Sequence, residues 1–180
     1  MTYNRSMGII YTIGHSTRTI EQFLDLLKAH GIQEVVDVRT IPKSRHNPQF
    51  AEEQLAPALQ EAGMAYKRIA RLGGLRRTTS ASVNTGWRNT SFRGYADYMG
   101  SDEFQEGLRE LEQTALQHKV AIMCAEAVPW RCHRSLVADA LTTRGWSVLH
   151  IQSAKTANLH KLTPFLQVHN GELSYPPVVE

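Results

Sequence analysis

Apolar and polar positions along this chain follow two alternating patterns. Short continuous apolar runs are typical of buried β-strands, and apolar positions that recur every three or four residues are typical of helices with one buried face. The runs predict strands at 8–13, 34–39, 66–69, 120–124 and 146–151, and the periodicity predicts helices after Thr19 and at 51–62, 102–117 and 132–144. This alternation predicts an α/β fold, a Rossmann-like three-layer sandwich around a mostly parallel five-stranded sheet.

The ends of the predicted helices carry signals of their own. Thr19 and Gln22 have the spacing of a capping box, which satisfies free N–H groups at a helix start. Pro57 lies inside the second helix and predicts that this helix is kinked or divided. A glycine follows three of the predicted helices, at Gly31, Gly63 and Gly145, where a helix end is expected.

The length of 180 residues suits one domain. Residues 1–152 are predicted to form a single α/β domain, and residues 153–180 a C-terminal extension that packs on it or is partly irregular. Within the extension, 159–166 favours a helical turn and Pro176-Pro177 an irregular end. Residues 75–95 are rich in Arg, Thr, Ser, Asn and Gly and lack a clear period, so we predict a long basic loop.

Composition excludes several protein classes. A hydrophobic content of 42% and a charged content of 21% are typical of soluble globular proteins. No apolar run approaches the ~20 residues of a membrane span, and the first residues lack the apolar core of a signal peptide. Two cysteines are too few for a disulfide framework. We therefore expect a cytoplasmic protein with no membrane partner.

Positive charge is concentrated in one segment. The formal net charge is +3, but no acid lies between Glu61 and Asp97, an interval that holds seven Lys and Arg residues. Such a segment attracts phosphate, a nucleotide or nucleic acid, although a solvated basic loop has the same composition. Aromatic residues lie among these cations and suit either base stacking on single-stranded nucleic acid or anchoring of the loop to the core: Trp87, Phe92, Tyr95 and Tyr98.

Polar and reactive residues follow the predicted strands at their carboxyl ends, the edge at which doubly wound folds bind ligands. We expect residues 15, 37, 126 and 134 to meet there in a pocket that is positive overall. The candidate catalytic residues are Glu126, Asp37, His15, Cys124 and His133. The candidate anion- or substrate-binding residues are Ser16, Arg39, Ser44, Arg45, Gly73, Gly74, Arg93, Tyr95, Cys132 and Arg134.

The two carboxylates each allow a catalytic and a structural interpretation. Glu126 follows a strand directly, which suits a general base or a group that orients a substrate hydroxyl. An ion pair with Arg134 or Arg39 is its structural alternative. Asp37 either contacts the ligand or fixes the loop after the first strand through backbone N–H groups. Arg39 is not expected to pair with Asp37 across the strand without a turn.

The cations and thiols of the same edge suggest anion binding more strongly than metal binding. Arg134 lies in a first helical turn, so an anion held by Arg134, the helix start and His15 is the sharpest hypothesis. Gly73-Gly74 is a weak phosphate-loop signal. Cys124 is a nucleophile if its thiolate is stabilised, but a small buried hydrophobe is favoured, and the cysteine-loop-arginine pattern of phosphatases and rhodaneses does not match. Cys124, Cys132, His133 and His15 lack the paired spacing of zinc ligands, so no metal or cofactor is predicted.

Several ordered motifs together resemble the DUF488 family of uncharacterised bacterial and archaeal proteins. The motifs are YTIGHS at 11–16, Asp37-Val-Arg39 with Pro42 and Ser44, Leu72-Gly-Gly74, FRGYADYM at 92–99, Cys124-Ala-Glu126 and Cys132-His-Arg134. The resemblance covers most of residues 9–152 and implies a functional site at these positions without implying a reaction. Labels of some members as DNA-repair proteins imply a link to nucleic acid.

Three functions remain open from the sequence. The first is a hydrolase or transferase acting on a nucleotide or nucleic acid, with Arg39, Arg45 and Arg134 on the anion. In it Glu126 or Asp37 is the base and His15 or His133 carries the proton. The second is a non-catalytic nucleic-acid-binding module, related to DNA repair. The third is a metal or redox sensor that uses Cys124 and Cys132. The expected partner is an anionic small molecule or nucleic acid, and the oligomeric state is not defined.

Overall fold

A six-stranded, mostly parallel sheet organises the chain, which a computed structural model describes over residues 6–179. The strands are β1 (Gly8–Gly14), β2 (Glu34–Asp37), β3 (Ala65–Arg68), β4 (Val120–Cys124), β5 (Trp146–Ile151) and β6 (Ala157–Leu159), in the order β3-β2-β4-β1-β5-β6. The first five are parallel, and β6 runs antiparallel to β5. A separate hairpin pairs β7 (Gln167–His169) with β8 (Glu172–Ser174).

Helices cover both faces of the sheet and complete the three layers expected from the sequence. They are α1 (Ile20–Ala29), α2 (Glu52–Glu61), α3 (Thr90–Tyr98), α4 (Asp102–Gln117) and α5 (Arg134–Thr143). One core holds apolar side chains of α1 and α2, and the other those of α3, α4 and α5. Val35 belongs to the first core and Val36 to the second, because successive strand residues point to opposite faces. The central strands therefore have no solvent-facing side and read as continuous apolar runs.

The predicted capping box and the glycine signals at the helix ends are confirmed. Thr19 and Gln22 form both bonds of the capping box of α1. Gly31, Gly63 and Gly145 all have positive φ, at +68°, +82° and +99°. Pro57 does not divide the second helix, because α2 runs through it from Glu52 to Glu61.

The strand count is the main correction to the predicted fold, which had five strands. The sixth, β6, comes from the C-terminal extension, where 159–166 was expected to form a helical turn; instead Leu159 ends this strand. A buried hydrogen-bond chain holds the extension against the sheet. It runs from Thr12 Oγ1 to His150 Nδ1 (2.5 Å), from His150 Nε2 to His160 Nδ1 (2.8 Å) and from His160 Nε2 to Asp139 Oδ1 (2.8 Å). The Tyr175 hydroxyl also donates to Asp139, at 2.8 Å.

The predicted basic loop at 75–95 is shorter than expected, because α3 begins at Thr90. Asn89 caps this helix by accepting from the N–H groups of Ser91 and Phe92. Side-chain hydrogen bonds, rather than periodic apolar contacts, order the remainder. Asp97 accepts from the Thr78 and Ser82 hydroxyls, the Thr79 N–H and the Asn84 amide. Polar bonds of this kind leave no hydrophobic period in the sequence.

Two element boundaries near the sheet edge also differ from the prediction. Strand β2 ends at Asp37 rather than Arg39, and α5 begins at Arg134 rather than Cys132. A 3-10 turn at Pro129–Arg131 precedes α5. Within residues 6–179, no helix is long and apolar enough to cross a membrane.

Candidate active site

A cleft of about 350 Å³ opens at the carboxyl ends of β1, β2 and β4. Its size is at the lower end of the about 300–1,000 Å³ typical of small-molecule sites. Four chain segments contribute the lining: His15; Arg39, Thr40, Ile41, Lys43 and Ser44; Gly74, Leu75, Ser91, Phe92 and Tyr95; and Cys124, Ala125, Glu126, Arg131, Cys132 and His133.

Most of the candidate residues from the sequence lie at this cleft. Nine line it: His15, Arg39, Ser44, Gly74, Tyr95, Cys124, Glu126, Cys132 and His133. Asp37 and Arg134 are buried and contact lining residues from the interior. The other four are outside the lining: Ser16, Arg45, Gly73 and Arg93.

Asp37 and Arg39 form a buried ion pair, which the sequence analysis did not expect. The Arg39 side chain reaches back along the chain to the Asp37 carboxylate. Its Nε donates to Oδ1 at 2.9 Å and its Nη2 to Oδ2 at 2.7 Å, while the Arg39 backbone N–H also donates to Oδ1. The Tyr66 hydroxyl donates to Oδ2 at 2.6 Å. Asp37 therefore fixes Arg39 rather than the loop after β1.

Arg39 and His15 each carry a buried polar atom without a protein partner in the described part of the chain. These atoms are Nη1 of Arg39 and Nε2 of His15. The His15 Nδ1 lies 2.8 Å from the Ser16 carbonyl oxygen, which only accepts, so Nδ1 carries the proton. Burial, followed by the Arg39 charge, lowers the pKa of His15 below its usual value, although the bond to Ser16 opposes this. The ring is therefore neutral near pH 7, and Nε2 is a free acceptor.

The loops after β1 and β4 are locked together beneath the cleft. The His15 N–H donates to the Cys124 carbonyl at 2.9 Å, and the Ser16 N–H to the Ala125 carbonyl at 3.0 Å. A Cβ at Gly14 would overlap the Glu126 carbonyl oxygen, so only glycine allows this approach. Ser16 has a φ of 50°, a left-handed conformation that non-glycine residues adopt at a cost.

Arg134 holds the loop backbone rather than a carboxylate. It is 1% exposed, and its Nη2 donates to the carbonyls of Glu126 (3.3 Å) and Ala127 (3.4 Å). The structural alternative for Glu126, an ion pair with Arg134 or Arg39, is not formed in the described region, and the Glu126 side chain is exposed at the cleft. Arg134 is also not part of the lining, so direct anion contact by this residue is not supported.

The two thiols lie among polar groups. The Cys124 Sγ is 3.6 Å from the Glu126 carbonyl oxygen, and the Cys132 Sγ is 3.4 Å from the Arg134 N–H nitrogen. Burial raises the pKa of Cys124, but the hydrogen bond from Cys132 and the Arg134 charge outweigh it, and the pKa is lowered. The same hydrogen bond to Cys124, together with burial, raises the pKa of Cys132.

Both ring nitrogens of His133 contact protein groups at the edge of the cleft. Its Nε2 is 2.8 Å from the Val38 carbonyl oxygen and must donate to it, which leaves Nδ1 as an acceptor 3.5 Å from the Cys132 Sγ. Burial lowers the pKa of His133 to about 4. Gly74 makes room for this ring, since a Cβ there would lie 3.0 Å from Nδ1. Gly73 packs as closely against Thr40, so the glycine pair has a packing role.

Eight lining residues are not among the candidate catalytic and binding residues, although Phe92 was named as suited to base stacking: Thr40, Ile41, Lys43, Leu75, Ser91, Phe92, Ala125 and Arg131. Lys43 follows β2, and Arg131 lies between the two cysteines, so position relative to the strands was an available signal. Ile41 and Leu75 are 60% and 77% exposed, and Leu75 has a φ of 56°. Exposed apolar residues in a loop give no such signal in a sequence.

Much of the basic segment binds the protein itself. Arg71 pairs with Glu106, Arg68 donates to the Thr40 carbonyl, and Arg93 donates twice to the Trp87 carbonyl. The aromatic residues pack inward. Trp87 contacts three other rings, those of Phe92, Phe165 and Tyr175. This packing anchors the loop to the core, while Phe92 and Tyr95 also line the cleft.

A family model described as "Domain of unknown function DUF488" matches residues 19–141. No curated protein and no solved structure matches the chain. The matched span includes every cleft-lining residue except His15.

Proposed function

The chain belongs to the DUF488 family, and we propose that it is an enzyme whose cleft binds a small phosphate-bearing substrate of the nucleotide type. The family description names no activity, so the support comes from the cleft. The observation that carries the proposal is the pair of buried atoms without protein partners, Arg39 Nη1 and His15 Nε2, on two residues that line one cleft.

These two atoms favour a ligand with matching groups. A buried polar group without a hydrogen bond costs about 1–3 kcal/mol, so a ligand that satisfies both groups gains affinity. Arg39 donates and the neutral His15 accepts, which suits an anionic oxygen next to a hydroxyl or a protonated oxygen. A phosphate monoester offers both. Asp37 already fixes the guanidinium, so little conformational entropy is lost when the ligand binds.

The charge of the cleft supports the same ligand class. Arg39, Lys43 and Arg131 line it, against the single carboxylate of Glu126. Arginine side chains bind phosphate oxygens through directed, charge-assisted hydrogen bonds. Lys43 and Arg131 are exposed and reach the cleft from opposite segments. An anion between them would be bound from two sides.

The walls of the cleft favour a ligand with an apolar or planar part. Ile41, Leu75, Phe92 and Tyr95 line it beside the cations. Pockets with apolar walls and a few polar groups are typical of small-molecule sites. Trp130, next to Arg131, is 69% exposed. A nucleotide combines the required parts, because its base is planar and its phosphate is charged.

The reaction that fits is transfer or hydrolysis with an activated hydroxyl or water. His15 Nε2 is a neutral base, and Glu126 is a free carboxylate at the cleft. One of these two residues removes a proton from the nucleophile, and the other holds the nucleophile in position. His133 does not share this role, since both of its nitrogens face protein groups.

The proposal is tested by calorimetric titration of the protein with each of the four ribonucleoside monophosphates and with the matching nucleosides. We expect at least one monophosphate to bind more tightly than its nucleoside. The variant Lys43→Gln/Arg131→Gln should weaken the binding of that monophosphate by about tenfold or more, which corresponds to a loss of about 1.4 kcal/mol. Arg77→Gln, on an exposed residue outside the lining, is the control.

Turnover of the nucleotide that binds is then followed by chromatography. Glu126→Gln should retain binding and lose turnover. Binding without turnover by the unaltered protein contradicts the catalytic part. Equal losses in Arg77→Gln and in the cleft variant would favour the nucleic-acid-binding module instead, because the basic surface as a whole would then carry the affinity.

A further inference from the structure

We propose that Cys124 and Cys132 form a thiol–disulfide exchange pair at the floor of the cleft, which reduces a small disulfide that carries anionic groups. The preference for an anionic disulfide rests on the proposed function, namely the cationic lining. The exchange chemistry rests on the two sulfurs and their neighbours alone.

The fold brings the two thiols together at the cleft. Cys124 is the last residue of β4, Cys132 precedes α5, and both line the cleft. The intervening loop is drawn back by Arg134, whose guanidinium holds the carbonyls of Glu126 and Ala127. The two thiols are close enough for each to shift the pKa of the other. Two cysteines that were buried only by chance would not need to lie close together or to line the same cleft.

The surroundings favour a thiolate on Cys124. The buried Arg134 guanidinium is close enough to lower the pKa of Cys124, and its Nε has no hydrogen-bond partner among residues 6–179. Thiolates next to a cation and a second thiol are the attacking species in exchange reactions. Cys124 is 2% exposed and Cys132 6% exposed, so the substrate disulfide must enter the cleft to react.

Cys132 becomes reactive only after Cys124 has reacted. The hydrogen bond and charge of Cys124 are the main reasons why the pKa of Cys132 is raised, together with burial. When the Cys124 sulfur forms a mixed disulfide, that charge is lost. The Arg134 N–H, 3.4 Å from the Cys132 Sγ, then stabilises a Cys132 thiolate, and the His133 Nδ1 at 3.5 Å accepts its proton.

The exchange has two balanced steps. The Cys124 thiolate attacks one sulfur of the substrate, forms a mixed disulfide and releases the other half as a thiolate. The Cys132 thiolate then attacks the Cys124 sulfur, forms the Cys124–Cys132 disulfide and releases the second half. Two electrons pass from the protein to the substrate, and the released thiolates take up the protons lost by the two cysteines.

The test uses the reduced full-length chain with glutathione disulfide, which is anionic, and cystamine, which is cationic. Mass spectrometry follows the products, and the chain has only these two cysteines. We expect the unaltered protein to end as the intramolecular disulfide. Cys132→Ser should accumulate a mixed disulfide on Cys124. Cys124→Ser should react at least tenfold more slowly at Cys132, with circular dichroism showing that both variants fold.

The charge preference is tested by Lys43→Gln/Arg131→Gln, which should slow glutathione disulfide and not cystamine. Equal rates of Cys124 and Cys132, or reaction only after unfolding in urea, overturn the exchange pair. Exchange without a charge preference overturns the anionic substrate. The nucleotide titrations and the exchange rates are measured independently. The proposed function can therefore fail while the exchange pair is confirmed, and the reverse.

Discussion

The substitution Asp37→Asn tests the contact that positions Arg39. Asp37 is completely buried and Arg39 is 6% exposed. The carboxylate accepts three hydrogen bonds from Arg39 and one from the Tyr66 hydroxyl. An amide of the same shape removes the negative charge and leaves the guanidinium buried without a counter-charge.

The expected loss of stability is about 3 kcal/mol. Removal of one partner of a buried ion pair costs about 3–5 kcal/mol, and the retained shape of the side chain places this variant at the lower end. A domain is stable by about 5–15 kcal/mol, so the variant still folds. Since 1 kcal/mol shifts Tm by about 2–4 °C in domains of this size, Tm should fall by roughly 6–12 °C.

Urea unfolding at pH 7 measures the effect, with an unchanged slope as evidence that the unfolding transition is the same. The control is Glu106→Gln, because the Glu106–Arg71 pair is 53% and 54% exposed. Such a pair contributes about 0–1 kcal/mol. Equal destabilisation by the two variants would refute the reasoning. Asp37→Asn/Arg39→Met should be less destabilised than the sum of its single variants, because the unpaired cation is then absent.

Three further changes test other parts of the structure. The folded pKa of His133 is about 4, below its unfolded value of about 6.5, so the free energy of unfolding should fall as pH drops from about 6.5 to 4, by up to about 3 kcal/mol. In His133→Asn, urea titrations at pH 7, 6 and 5 should show a smaller fall in the free energy of unfolding with decreasing pH. The same pH dependence as in the unaltered protein would contradict this prediction. Gly14→Ala should lower Tm by at least about 4 °C through its overlap with the Glu126 carbonyl. Gly100→Ala, whose Cβ would have ordinary contacts, should leave Tm nearly unchanged. Similar shifts of Tm in the two variants would refute the packing argument. Tyr175→Phe removes a buried hydroxyl bond and should cost about 1–2 kcal/mol, with faster proteolysis within 153–179; an unchanged cleavage rate would show that this bond does not hold the extension.

Fold and candidate site differ in how far the sequence predicted them. The parallel strands were predictable mainly from short continuous apolar runs, and the main helices from apolar positions that recur every three or four residues. Asn89 and Asp97 show the limit. They order a segment with polar side-chain bonds, which have no period, so the start of α3 and the course of 76–84 were not predicted. Strand β6 is only three residues long and mostly exposed, which gives it no apolar pattern either.

The sequence by itself determined that His15, Cys124 and Glu126 lie at one edge of the sheet, because parallel strands present their carboxyl ends together. Only the tertiary structure decided what each polar group does there. Arg39 pairs with Asp37, Arg134 binds carbonyl groups, and His133 contacts a thiol and a backbone carbonyl. The succession of strands and helices along the chain follows from hydrophobic patterns within each segment. Hydrogen-bond partners depend on distances between segments far apart in sequence, and those distances are set when the core packs.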